Sequence, residues 1–227
     1  WQSQNRRDFL INNDSKGHDY SKMVYDGLKE SGEDDIIILT RAAYPGTQKF
    51  GSLVWNGDIV STFDALRMSV KTGLSMAMCG IPWWNSDIGG FLFADIESDY
   101  FKELVVRWAQ FGVFSPVMRL HGSRKRQSTY VDRHPGIIEK SGGDNEIWSF
   151  GEEDYVILKD LVELRNRLKP YICKYMDITT ETGAPIMRPM FFDYYDDEIC
   201  YTLEDQYMFG EDILFAPITG QGQTKRK

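Results

Sequence analysis

Apolar residues recur along the chain in two alternating rhythms. Tyr20, Met23, Val24 and Leu28 fall three or four apart, the spacing of one helix face, and the run stops at Ser31–Gly32. Ile36–Ile37–Ile38–Leu39 then predicts a short strand buried on both faces, leaving at Thr40–Arg41. Leu53–Val54–Trp55 predicts a second strand, ending at Asn56–Gly57–Asp58. Leu66, Val70, Leu74 and Ala77 return to helical spacing. Met78–Cys79–Gly80–Ile81 reads as a third strand that leaves at Trp83–Trp84. Phe101, Leu104, Val105, Trp108 and Phe111 predict the next helix, after which residues 113–118 lead to Arg119–Leu120–His121. A loop over roughly 123–150 carries Pro135–Gly136 and Gly142–Gly143. A long helix is expected over about 153–182, bent near Pro170, which has no backbone N–H to donate. Residues 1–19 are polar, with turns expected at Asn12–Asn13–Asp14 and Ser15–Lys16–Gly17.

Strand and helix in alternation imply a parallel sheet covered by helices. Arg41, Asp58, Asp87 and His121 each follow the end of an expected strand. In a (β/α) barrel the loops at those ends converge on one face, and an open doubly wound sheet also binds ligands there. The glycines of Asp87–Ile88–Gly89–Gly90–Phe91 lack the spacing of a phosphate-binding loop. After about residue 183 the pattern changes. Pro185–Ile186–Met187–Arg188–Pro189–Met190–Phe191–Phe192, Gln206–Tyr207–Met208–Phe209 and Ile213–Leu214–Phe215–Ala216–Pro217 read as β segments that begin a second, all-β unit.

Two stretches in this frame carry candidate chemistry. Val54–Trp55–Asn56–Gly57–Asp58 and Trp83–Trp84–Asn85–Ser86–Asp87 each run through tryptophan to aspartate. Sugars present flat apolar ring faces and a rim of hydroxyls, so indole with carboxylate suits them. An aspartate packed on indole also loses hydration, which raises its pKa, the condition a general acid needs near neutral pH. Each residue has a plainer reading as well. Asp58 suits the N-cap of the following helix. Asp87 suits a turn into Gly89–Gly90, whose glycines point to a positive φ or a close backbone approach. Arg41 suits a structural ion pair, and His121 a satisfied core histidine. Their shared place at strand ends favours a site.

Composition narrows the field. The 227 residues suffice for one large or two small domains, and 42% apolar with 14% aromatic residues support a packed core. A net charge of −8 and a pI near 5.0 argue against a nucleic-acid partner. Ser123–Arg124–Lys125–Arg126 and Lys225–Arg226–Lys227 read as solvated segments. No run of about 18 apolar residues occurs, so no membrane partner is expected. Cys79, Cys173 and Cys200 make an odd number without metal-site spacing, which fits a reducing, cytoplasmic setting. No His/Asp/Glu cluster has zinc spacing, no loop resembles a calcium site, and there is no nucleophile elbow.

Arg41–Ala42–Ala43–Tyr44–Pro45–Gly46–Thr47–Gln48–Lys49–Phe50, Trp55–Asn56–Gly57–Asp58, Trp83–Trp84–Asn85–Ser86–Asp87–Ile88–Gly89–Gly90–Phe91 and Arg119–Leu120–His121–Gly122 stand in this order. Together they resemble the ordered motifs of glycoside hydrolase family 31, the family of α-glucosidases and α-xylosidases. The likeness continues through Asp144–Asn145–Glu146–Ile147–Trp148–Ser149–Phe150 and Gln206–Tyr207–Met208–Phe209–Gly210, over about residues 20–218. It implies an α/β fold: the C-terminal half, about strands five to eight, of a (β/α)8 TIM barrel leading into an all-β sandwich. Residues 1–182 would be barrel, and 183–227 its end and the start of the β domain. The resemblance also implies retaining hydrolysis of terminal α-linked glucose or xylose from oligosaccharides or glycosides, with no metal and no cofactor. Asp58 matches the general acid/base. Arg41, Trp55, Trp83, Asp87, Phe91 and His121 match positions lining the subsite where the bond breaks. Indole packing and a nearby ionised carboxylate should then raise the pKa of Asp58. Arg41, Asp87 and His121 would hold ring hydroxyls, and Trp55 and Trp83 would cover the pyranose.

One part of the pattern is missing. The family nucleophile sits in a strand-four motif of an apolar run, Asp and an acidic pair, which does not occur here. Asp8 and Asp14 lie in polar sequence with no strand before them. The nucleophile and the rest of the barrel are therefore expected upstream of Trp1, and this chain alone is expected to be inactive. About four of eight barrel strands would leave open edges and an exposed apolar face. Homo-oligomerisation of the full-length form stays open. The alternative is a carbohydrate-binding or degenerate homologue without catalysis.

Overall fold

A computed structural model describes residues 16–124 and 143–226. The turn at Asn12–Asn13–Asp14, the carboxylates Asp8 and Asp14, and residues 125–142 of the long loop lie outside the described residues. Helix α1 (Lys16–Glu30) precedes strand β1 (Ile38–Thr40), a 3-10 turn (Thr47–Phe50) and strand β2 (Ser52–Trp55). Helix α2 (Phe63–Met78), strand β3 (Trp84–Asn85) and helix α3 (Asp99–Val113) follow. The strands form a parallel sheet in the order β1-β2-β3, with Leu39 opposite Leu53 and Val54 opposite Trp84. Just beyond β3, a parallel bridge from Ile88 to Leu120 brings in the segment that carries His121.

Strand periodicity sorts the tryptophans. Val54 and Trp84 are register partners, both buried, and point toward the helices. Trp84 lies against Gly73 of α2 so closely that a Cβ there would enter the indole. Trp55 and Asn85, next in register, point to the opposite face. Thr62 caps α2 by accepting the Ala65 N–H at 3.1 Å, and Ser98 caps α3 by accepting that of Phe101 at 3.2 Å. Leu66, Val70, Leu74 and Ala77 are buried as their spacing predicts, and so are Phe101, Leu104, Val105, Trp108 and Phe111. Fully burying side chains such as Leu66 and Leu104 stabilises the fold by about 1.5–3 kcal/mol each. The Trp108 indole donates to Ser86 Oγ at 2.8 Å, which ties α3 to the residue before Asp87.

Several expectations are corrected. Strand β1 is not buried on both faces: Ile38 and Thr40 are buried, Leu39 is exposed, and Ile37 beside it is 78% exposed. β1 ends the described sheet, and one of its faces has no cover. Tyr20 and Met23 of α1 are likewise exposed. Met78–Cys79–Gly80–Ile81 is not a strand. Helix α2 runs on to Met78 and is capped at Cys79, whose N–H bonds back to Ser75 O, and Gly80 turns the chain at φ +74°. The strand comes later and contains Trp84 itself. The cap of α2 is Thr62, so Asp58 is free of that duty. The long helix divides into α4 (Glu152–Arg167) and α5 (Lys169–Thr182), with Leu168 between them and Pro170 in the first turn of the second.

Beyond Gly183, β4 (Met187–Pro189), β5 (Tyr207–Phe209) and β6 (Ile213–Phe215) form an antiparallel sheet in that order. Residues 190–193 after β4 turn helical instead of extending it. Ile186, Met187, Tyr207 and Phe209 belong to the same core as Trp84 and Trp108. The Tyr207 hydroxyl donates to Phe114 O at 2.8 Å, and Phe114 stacks on Phe215 at 4.3 Å. No described helix is long and apolar enough to cross a membrane.

Candidate functional site

Three exits from the parallel sheet place the polar residues. After β1, the Thr40 side chain and the Ala42 backbone close a tight turn, and Arg41 projects from it. After β2, Asn56 N–H bonds to Asn85 O at 3.3 Å, and Gly57, at φ +79°, turns Asp58 outward. Arg41 Nη1 then lies 3.5 Å from Asp58 Oδ2, both side chains substantially exposed. With Trp55 and Met68 they line a cleft of about 790 Å3.

Asp87, after β3, is completely buried. One of its oxygens takes a guanidinium N–H from Arg119, and the other, Oδ2, is buried without a hydrogen-bond partner in the described structure. Burial pushes its carboxyl up to about 6, outweighing the pull of Arg119; the charge of Asp58 adds to the rise and Arg124 opposes it. Of the two aspartates at the strand exits, Asp87 is the buried one, and Asp58 sits half-exposed beside Arg41. His121 follows Leu120, its ring 5.4 Å from that of Phe91. Burial holds the imidazole below its ordinary range, helped by Arg119 and Arg124 and opposed by Asp58. A neutral imidazole can both donate to and accept from a hydroxyl.

The structure thus gathers Arg41, Trp55, Asp58, Asp87, Phe91 and His121 at neighbouring strand exits. Trp83 is placed apart. It lines an apolar cavity of about 530 Å3 with Met118, Leu120, Ile147, Leu158 and Arg165, and is not on the cleft of Trp55 and Asp58. Two further residues belong to the group. Arg119 bridges it, ion-paired to Asp87 and lying 6.0 Å over the Trp55 ring. Strand alternation was the signal available, since Arg119 and His121 share a face. Arg124 is fully buried and donates to Gly90 O and to Asn145 Oδ1, so the solvated reading of the 123–126 cluster fails at that residue. Lys125 and Arg126 lie outside the described residues. Among the described residues no group of three or more His, Cys, Asp or Glu is placed to hold a metal ion.

Chemically, the arrangement offers one carboxylate open to solvent, a buried carboxylate with a free acceptor oxygen, a neutral imidazole, cationic donors and two aromatic faces. These are the groups that grip a polyhydroxylated ring and exchange a proton beside it.

A family model described as the glycosyl hydrolases family 31 TIM-barrel domain matches residues 11–175, and one described as the glycosyl hydrolase family 31 C-terminal domain matches residues 183–227. An alpha-xylosidase of Saccharolobus solfataricus is 34% identical over 212 residues, covering 90% of this chain and 26% of that protein. A sulfoquinovosidase of Escherichia coli is 34% identical over 211 residues, covering 90% of this chain and 28% of that protein. The crystal structure of a GH31 alpha-xylosidase from a soil metagenome, complexed with xylose, superposes with a TM-score of 0.81 at 49% identity, over 90% of this chain and 30% of that one. A GH31 dextranase of Flavobacterium johnsoniae complexed with glucose gives a TM-score of 0.80 at 32% identity, over 92% of this chain and 24% of that one. The chain spans about a quarter of the length of the curated relatives it matches.

Proposed function

The chain belongs to glycosyl hydrolase family 31, and from that premise we propose that it forms the acid/base side of a retaining α-glycosidase acting on terminal α-linked xylose or glucose. The observation that carries the reading is the contrast at the strand exits: Asp58 is reachable from the cleft beside Trp55 and Arg41, while Asp87 is buried and bonded to Arg119. Asp58 is the proton donor to the leaving oxygen and later the base that activates water. Asp87, through its free Oδ2, together with His121 and Arg41, holds ring hydroxyls. Trp55 and Phe91 cover the ring faces. Trp83 takes no part in this geometry unless sugar reaches the second cavity.

A retaining enzyme needs a second carboxylate about 5–5.5 Å from the first. Asp87 is unsuited to attack, because its negative charge is engaged by Arg119 and withdrawn from solvent. The attacking carboxylate is therefore sought in sequence beyond these 227 residues. By the same reading, residues 1–182 belong to the barrel, about strands five to eight, and 183–227 lead into a β-sandwich domain. The three paired parallel strands and the bridge at Leu120 support that span, as does the break between the two matched family segments.

The test is Asp58→Asn in the full-length protein that carries this chain. Hydrolysis of glycosides with poor leaving groups should fall by about 10²–10⁴-fold, and nitrophenyl xyloside or glucoside should be spared more. Equal loss on both classes would remove Asp58 from the acid role. Sugar binding without hydrolysis by the unaltered protein would favour the non-catalytic homologue.

A further inference from the structure

Arginines are seldom fully buried, and Arg124 is. Nη1 and Nη2 both donate to Gly90 O at 3.2 Å, and Nε donates to Asn145 Oδ1 at 2.9 Å. The guanidinium lies 4.8 Å over the Phe101 ring of α3. Glycines make room for it. A Cβ on Gly122 would enter the guanidinium, and one on Gly89 would stand 3.2 Å from Nη2. The far side of the turn is closed as well, because a Cβ on Gly90 would meet Val60 O at 2.7 Å. Backbone bonds join the same pieces: Ser123 N–H donates to Phe91 O at 2.8 Å, and Gly143 N–H donates to Arg124 O at 3.0 Å.

One side chain therefore links three parts of the molecule: the turn 89–91, helix α3 and the segment 143–145. The turn begins at Asp87, whose carbonyl accepts the Gly90 N–H at 2.9 Å, and ends at Phe91, which packs on His121. We propose that Arg124 is the positioning residue of the site, its planar fork holding the Gly89–Gly90–Phe91 turn so that Phe91 stays against His121 and closes one wall of the sugar subsite. This rests on reading the strand exits as a sugar site. A fork of fixed donors suits two carbonyl lone pairs and an amide oxygen at once, a task a lysine point charge cannot perform.

The charge of Arg124 also reaches the site. Burial pulls the guanidinium down to about 10, which leaves it charged at neutral pH. Its field acts with that of Arg119, and against that of Asp58, on both Asp87 and His121. Geometry and charge can be separated. Arg124→Lys keeps the charge and loses the fork, whereas Arg124→Met loses both.

Two readouts decide the matter: the NMR shift and titration of the His121 ring, and the binding of D-xylose and D-glucose. In Arg124→Lys the shift that the Phe91 ring imposes on His121 should vanish and sugar affinity should fall by about tenfold or more, with the His121 midpoint rising as the ring gains water. Arg124→Met should show the same losses with the midpoint moved further upward, because the cationic charge is gone as well. Asn145→Ala, which removes one acceptor at the edge of the fork, should give a smaller change of the same kind, and decides the question if the arginine variants do not fold. A Phe91–His121 contact and affinity unchanged in folded Arg124→Lys, or unchanged in Asn145→Ala when only that variant folds, would overturn the proposal. If the unaltered protein binds neither sugar, the proposed function fails, and the His121 shift still reports whether Arg124 holds the turn.

Discussion

Two arginine–aspartate pairs stand side by side at the strand exits, and they are opposites. Arg41 and Asp58 meet at 3.5 Å with side chains 63% and 46% exposed. Arg119 and Asp87 meet with side chains 25% and 0% exposed. The first pair is held loosely in water, where such an attraction contributes about 1 kcal/mol or less. Its carboxylate can leave its partner, meet a substrate and exchange a proton. The second pair is held where water cannot reach the carboxylate. Asp87 is anchored by Arg119, by Ser86 through the Trp108 indole, and by the turn that Arg124 grips. One chemistry in two environments thus yields one carboxylate open to the cleft and one fixed out of water.

The sharpest way to break this comparison is to remove one arginine at a time. Arg119→Met leaves Asp87 buried and unpaired, and should destabilise the chain by about 3–5 kcal/mol in urea unfolding. A loss below about 1 kcal/mol would place Asp87 in an environment like that of Asp58. A smaller effect lies in the pH dependence. Asp87 titrates near 6 in the folded chain against the usual 3.8. The folded state therefore keeps a proton that the unfolded state has released. Stability should fall by about 1–3 kcal/mol as pH rises from about 4 to about 6, and this fall should be absent in Asp87→Asn. His121, held below its ordinary range, works in the opposite sense on acidification. It is present in both proteins and cancels from the difference. A constant difference between the two across that window would show Asp87 to be hydrated. The smallest effect is expected from Arg41→Met, within about 1 kcal/mol by the same unfolding measurement. A larger loss would mean that Asp58 is not free to leave its partner.

How far the site could be read from sequence depended on what kind of force sets each residue. Arg41, Asp58, Asp87 and His121 were visible because strand ends follow from apolar periodicity, and their shared place there outweighed the ion-pair, cap, turn and core readings that each has alone. The glycines at 89 and 90 announced both the positive φ values, +87° and +75°, and the close backbone approach. Arg124 was not visible, since a basic cluster in a polar loop carries no mark of the carbonyls that will surround it. Trp83 and Trp55 looked alike as sequence, yet they line different cavities. The run 78–81 was ambiguous for a simpler reason. A short apolar stretch continues a helix as readily as it starts a strand, and only the contacts of α2 decide.

By itself the sequence determined the order of strands and helices, the capacity for a core, and which side chains would emerge at the strand ends. These follow from local periodicity and from the side-chain alternation that a strand imposes. Only the tertiary structure decided which aspartate would be dry, which arginine would be buried, and which tryptophans would line the cleft. Desolvation and guanidinium hydrogen bonding depend on what other parts of the chain bring close, here from α3, from Asn145 and from Arg119.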